Sequence, residues 1–102
     1  MEKLLEILKA LADDTRMKIV YLLLSHDFCV GAIARRLNIS EAGISQHLQI
    51  LRKAGLVKGE KRGYFTHYYV DRDVLKNTAD NILKTASTLP QNETTFNKNK
   101  DN

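Results

Sequence analysis

Apolar residues recur at helical spacing along most of the chain, and the breaks between the runs fall on capping or turn residues. Over residues 2–12, Leu4, Leu8 and Leu11 share one helical face, which Leu5 and Ile7 widen. Asp13-Asp14-Thr15 interrupts the pattern, and either aspartate can cap a second helix over 15–25. Met17, Ile19, Val20, Leu22, Leu23 and Leu24 make that second helix apolar on most sides, as expected for the buried centre of a fold. Ser25-His26-Asp27 reads as a loop. Val30, Ile33, Ala34 and Leu37 then stand at i, i+3, i+4 and i+7, which predicts a helix over about 29–37. The polar break Asn38-Ile39-Ser40 follows, with Ser40 placed to cap a helix over 41–54. That helix carries only a narrow stripe of Ile44, Leu48 and Leu51.

After Ala54-Gly55, where a left-handed glycine ends the helix, the period changes from helical to alternating. Residues 56–61 and 64–70 are β-prone runs joined at Arg62-Gly63, which predicts a hairpin. Alternation puts Phe65, His67 and Tyr69 on one face of the second run and Tyr64, Thr66, Tyr68 and Val70 on the other. Both faces are largely aromatic, so the pattern leaves open which one packs inward. Asp71 or Asp73 caps a last helix over about 72–88, with Leu75, Ala79, Ile82, Leu83, Ala86 and Leu89 as its apolar positions. From Pro90 onward the composition is almost wholly polar. The expected organisation is a folded domain over 1–89 and a disordered polar tail over 90–102.

The polar side of helix 41–54 is what points to function. Glu41, Ser45, Gln46, His47, Gln49, Arg52 and Lys53 cover it. A helix held by one thin apolar stripe and lined elsewhere with hydrogen-bonding groups suits the major groove of double-stranded DNA. Charge agrees. Residues 30–72 hold eight Lys/Arg against three acids, a balance of +5 within a chain whose net charge is +4. Arg52, Lys53, Lys58, Lys61 and Arg62 are expected at phosphates, and the amides of Gln46 and Gln49 suit adenine edges. A hairpin with Lys61-Arg62-Gly63 at its tip can touch phosphate or the minor groove. His47 reads either as a DNA donor or as a structural bridge to the hairpin.

Composition narrows the class. The 102 residues suit one domain, and 43% apolar content supports a folded core. No apolar run is long enough to span a membrane, and Met1-Glu2-Lys3 opens unlike a signal peptide. The single cysteine rules out an internal disulfide framework and fits a reducing, cytoplasmic setting. An enzyme would need clustered titratable groups in a pocket, and none is visible in the pattern, so no catalytic residue is expected. The two terminal helices carry more leucine and isoleucine than one small core can cover. This predicts a homodimer through helices 2–12 and 72–88, against the alternative of a monomer whose terminal helices cover its own core.

The order of four helices, a hairpin and a helix resembles the ArsR family of winged helix-turn-helix repressors, from about Leu4 to Leu89. Leu11-Ala12-Asp13-Asp14-Thr15-Arg16 is similar to the family's opening. The segment Ile44-Ser45-Gln46-His47-Leu48-Gln49-Ile50-Leu51-Arg52-Lys53-Ala54-Gly55-Leu56-Val57 follows its Ser-x-His-Leu-x-x-Leu…Ala-Gly-Leu-Val pattern without a gap. The resemblance implies a mainly α fold with a β-hairpin wing, and a dimeric bacterial-type repressor released from its operator by a ligand. It places Ser45, Gln46 and His47 at the DNA surface and makes Lys58–Tyr64 the wing. The candidate DNA contacts are Ser40, Ser45, Gln46, His47, Gln49, Arg52, Lys53, Lys58, Lys61, Arg62, Gly63 and Tyr64.

The chain departs from the family where many members sense metals. Their thiolate pair, Leu-Cys-Val-Cys-Asp, corresponds here to Phe28-Cys29-Val30-Gly31-Ala32, so only Cys29 is present. A last-helix site beginning Asp-x-His is replaced by Asp73-Val74-Leu75, and no histidine follows His67. Soft metals need two to four nitrogen or sulfur ligands in fixed geometry, so no metal site and no cofactor is expected. Cys29 reads either as a small buried residue at a helix start or as a redox-sensing thiolate. Besides a DNA-binding repressor, a winged-helix protein-interaction module and a repressor responding to oxidation of Cys29 stand as alternative functions.

Overall fold

The computed structural model describes residues 2–88. The expected tail over 90–102 and the Leu89 boundary lie outside the described residues. The elements are α1 (Glu2–Leu11), α2 (Asp14–Ser25), β1 (Phe28–Cys29), α3 (Val30–Leu37), α4 (Glu41–Lys53), β2 (Val57–Arg62), β3 (Phe65–Val70) and α5 (Arg72–Ala86). Four helices, a hairpin and a closing helix are thus present as the periodicity predicts. Both aspartate caps are used. Asp13 accepts from the Arg16 N–H at 3.0 Å, and Asp71 accepts from the Val74 N–H at 3.3 Å.

The helices meet around Ile19, Ile33, Ile44, Leu51, Leu56 and Val57, all fully buried. Ile19 comes from α2, Ile33 from α3, Ile44 and Leu51 from α4, and Leu56 and Val57 from the hairpin base, so these elements share one core. The face that α1 buries is rotated from the expected one. Ile7 and Ala10 are buried, while Leu4, Leu8 and Leu11 are half-buried and Leu5 is exposed. Helix α2 is also less enclosed than its composition suggests: Ile19, Val20 and Leu23 are buried, but Met17 and Tyr21 are exposed.

Two backbone positions shape the joints around α4. Asn38 ends α3 in the left-handed region at φ 56°, which turns the chain sharply toward α4. Gly55 follows α4 at φ 82°, and the Leu56 N–H donates back to the Leu51 carbonyl at 3.0 Å.

The sheet differs from the expected hairpin in having a third strand, in the order β1-β3-β2. Phe28 pairs with Tyr68 and Cys29 with His67, so a two-residue strand stands between the Ser25-His26-Asp27 loop and α3, which starts at Val30 rather than at about 29. Two residues are too few to show alternation; β1 forms because β3 offers an open edge beside it. Across the hairpin, Val57 pairs with Val70 and Arg62 with Phe65, which puts the turn at Gly63-Tyr64, one residue later than expected. Gly63 alone there has a positive φ, 65°, as a two-residue turn with glycine first requires. The inward face of β3 is the one with Tyr68 and Val70; Phe65 points to solvent.

Candidate nucleic-acid interface

Helix α4 separates its side chains cleanly. Ile44, Leu48 and Leu51 are buried, while Ser45, Gln46, Gln49, Arg52 and Lys53 are exposed. The Ser40 hydroxyl accepts from the Gly43 N–H at 3.0 Å, so this candidate contact is engaged as the helix cap. Glu41 in the first turn and Arg52 and Lys53 in the last are arranged as the helix dipole favours. The Arg52 guanidinium lies 5.9 Å from the Tyr68 ring centroid, leaning toward the hairpin. The exposed face therefore offers hydroxyl and amide groups flanked by two cations.

His47 makes a bridge, but not to the hairpin as the sequence reading allowed. Its Nδ1 lies 3.2 Å from Arg16 Nη1 and 3.9 Å from Asp13 Oδ2, at the junction of α1 and α2. The reason is the tight turn after α1, which lays Asp13 and Arg16 under α4. Asp13 is held below the usual carboxylate range, first by the Arg16 backbone N–H and also by the nearby Arg16 and His47 side chains. Arg16 escaped the sequence reading as a site residue, since an arginine in the first turn of a helix carries no periodic signal.

The hairpin is less freely cationic than its composition. Lys58 Nζ meets Asp71 Oδ2 at 3.2 Å. Arg62 Nη2 meets Asp27 Oδ2 at 2.7 Å and Glu60 Oε1 at 2.8 Å. The hydrogen bonds that Arg62 donates to Glu60, then to Asp27, raise its pKa further. Lys61, Gly63 and Tyr64 are exposed at the tip, with Tyr64 96% exposed. Two of the five cations assigned to phosphate thus hold internal carboxylates. A sequence gives no sign of this, because Asp27 lies 35 positions from Arg62.

Between the wing and the starts of α3 and α4 runs a groove of about 490 Å³, lined among others by Cys29, Gly31, Arg35, Glu41, Tyr64 and Tyr68. Cys29 is half-buried and caps α3 through its backbone alone. Among the described residues, no group of three His, Cys, Asp or Glu stands where it could hold a metal ion. No described helix is long and apolar enough to cross a membrane.

Residues 13–58, from the α2 cap to the start of the hairpin, match the model of bacterial regulatory proteins of the arsR family. The chain is 38% identical over 77 residues to the transcriptional repressor SdpR of Bacillus subtilis, a match covering 76% of this chain and 86% of that one. This chain belongs to the ArsR family. Solved structures of the family share its fold. An ArsR-like transcriptional regulator from Rhodococcus sp. RHA1 superposes with a TM-score of 0.80 at 30% identity, covering 84% of this chain and 81% of the other. The homodimeric winged helix-turn-helix DNA-binding domain Mb0332 of Mycobacterium bovis, a possible ArsR-family regulator, gives 0.71 at 28% identity, covering 83% and 80%. The ArsR resemblance and the winged helix-turn-helix architecture read from the sequence both hold. The family is one of transcriptional regulators.

Proposed function

We propose that this chain is a dimeric, sequence-specific, double-stranded DNA-binding repressor acting in the cytoplasm, with α4 as its reading helix and β2–β3 as its wing. One observation carries the reading: α4 buries Ile44, Leu48 and Leu51 and leaves Ser45, Gln46 and Gln49 exposed. Donor–acceptor side chains on a helix fixed from behind are what base edges in a major groove require. Arg52, Lys53 and Lys61 supply the adjoining phosphate contacts.

The dimer reading rests on α1 and α5. Leu5, Ile82 and Leu83 are exposed, the last at 64%; on α5 only Thr78 is fully buried, with Val74 and Leu75 partly buried against the chain's own core. Packing these faces against a second copy removes them from water and sets two reading helices about 34 Å apart. Nothing in this arrangement calls for catalysis or a cofactor. With Cys29 unaccompanied by a second thiol, we assign the protein no metal site.

The test is fluorescence anisotropy on the DNA upstream of the protein's own gene, against random competitor and over a range of salt. Specific, salt-dependent binding at two subunits per site is expected. Binding no better than to the competitor removes the repressor reading and leaves the interaction-module alternative.

A further inference from the structure

We infer that Arg16 is a positioning residue for the reading helix: it locks the His47 ring with Nδ1 as acceptor, so that α4 presents Nε2–H, a donor, to a DNA phosphate. This rests on the reading of α4 as the DNA-facing helix. The geometry behind it does not.

A guanidinium only donates. With Arg16 Nη1 at 3.2 Å, Nδ1 of His47 must carry its lone pair there, and the neutral ring then has its hydrogen on Nε2. The competing arrangement, a hydrogen on Nδ1 directed at Asp13 Oδ2, must span 3.9 Å and would set two donors face to face.

Arg16 itself has little freedom to yield. Its Nε donates to the Ala10 carbonyl at 2.6 Å and its Nη2 to the Lys9 carbonyl at 3.5 Å, and its side chain is only 14% exposed. These carbonyls belong to the last turn of α1 and have no helical partners of their own. One planar fork therefore closes the end of α1 and grips a side chain of α4. Nε2, at the far side of the ring, has no bonding partner among the described residues and is not sealed from solvent. A phosphate oxygen is a ligand that this imidazole N–H fits, since phosphates accept and never donate at neutral pH.

Two measurements test this. Long-range nitrogen–proton NMR of the imidazole in the free full-length protein, above the titration range of histidine, reads the tautomer without any DNA. Hydrogen on Nε2 is expected for His47, with that preference reduced in Arg16→Gln. Hydrogen on Nδ1 in the unsubstituted protein overturns the inference. Operator binding by His47→Asn and His47→Gln supplies the second readout. Asparagine places its amide near the Nδ1 position and keeps an acceptor for Arg16; glutamine carries an N–H to the Nε2 position. With folding checked by circular dichroism, His47→Asn should bind operator about tenfold or more weakly, and His47→Gln more tightly than His47→Asn. A folded His47→Asn that binds as well as the unsubstituted protein sinks the role assigned to Nε2. If the unsubstituted protein itself binds no DNA specifically, the repressor reading fails, while the NMR result still decides the tautomer.

Discussion

Asp27 and Arg62 stand 35 positions apart in the chain, yet their side chains meet at 2.7 Å, joining the loop before β1 to the wing. Arg62 is therefore a strut within the protein as well as a charge near its tip. Lys61, beside it, carries no such partner among the described residues. Lys61→Ala should weaken binding to all sequences and lower the slope of log affinity against log salt by about one per subunit. Arg62→Ala should lower that slope less. Asp27→Asn, which loosens the strut, should raise nonspecific affinity. Anisotropy titrations at four salt concentrations separate the three variants, and equal slopes for Lys61→Ala and Arg62→Ala would refute the distinction.

Gln46 is exposed on α4 and its amide both donates and accepts. Gln46→Ala should cost about 1–3 kcal/mol at one base pair of each half-site and relax preference there, leaving the salt slope unchanged. Selection from a randomised operator reads this directly.

Leu48 anchors α4 from below and is almost fully buried. Leu48→Ala should destabilise the fold by about 2–5 kcal/mol, lowering the melting temperature by about 10 °C or more. Calorimetry checks it. A loss near zero would mean that the reading helix is not held by this stripe.

The carboxyls of Asp13 and Asp71 are both held below their ordinary range. For Asp13 the main cause is the Arg16 backbone N–H; for Asp71 it is the Lys58 ammonium, then the Val74 backbone N–H. A carboxyl with a depressed folded-state pKa stabilises the fold above its unfolded pKa, and that contribution disappears as pH falls through the folded value. Urea midpoints should therefore decline as pH drops from 6 toward 3. Asp13→Asn and Asp71→Asn keep a capping side chain but remove the charge, so each should flatten the decline.

Leu83 lies on the open side of α5. Leu83→Glu should convert dimer to monomer in sedimentation at micromolar concentration and weaken operator binding with it, while the monomer stays folded. A dimer unchanged by this substitution would place the interface elsewhere.

Operator affinity measured with zinc, cadmium or arsenite should change by less than about tenfold, since Cys29 has no second thiol to complete a soft-metal site. A larger shift would require ligands from outside the described residues.

Much of the fold was legible in the sequence because long periodic segments with capping residues admit one reading. Asp13, Ser40 and Asp71 cap the helices they precede, Gly55 and Asn38 stand at the joints, and Ile44, Leu48 and Leu51 form the inner stripe of α4. What escaped was decided by tertiary contact. Strand β1 exists only because β3 lies beside it, and the inner face of β3 is set by what Tyr68 and Val70 meet. The partners of His47, Lys58 and Arg62 come from segments remote in sequence, and composition counts such cations as free. The exposed polar face of α4 was visible beforehand; the guanidinium beneath it was not.

Because β3 is hydrogen-bonded along both of its flanks, the hairpin is fastened to the chain just ahead of Val30. The wing and the entry to α3 are parts of one lever. On the proposed DNA-binding reading, an event that tilts that entry would carry Lys61 and Tyr64 with it and alter grip on the duplex while leaving the exposed side chains of α4 in place.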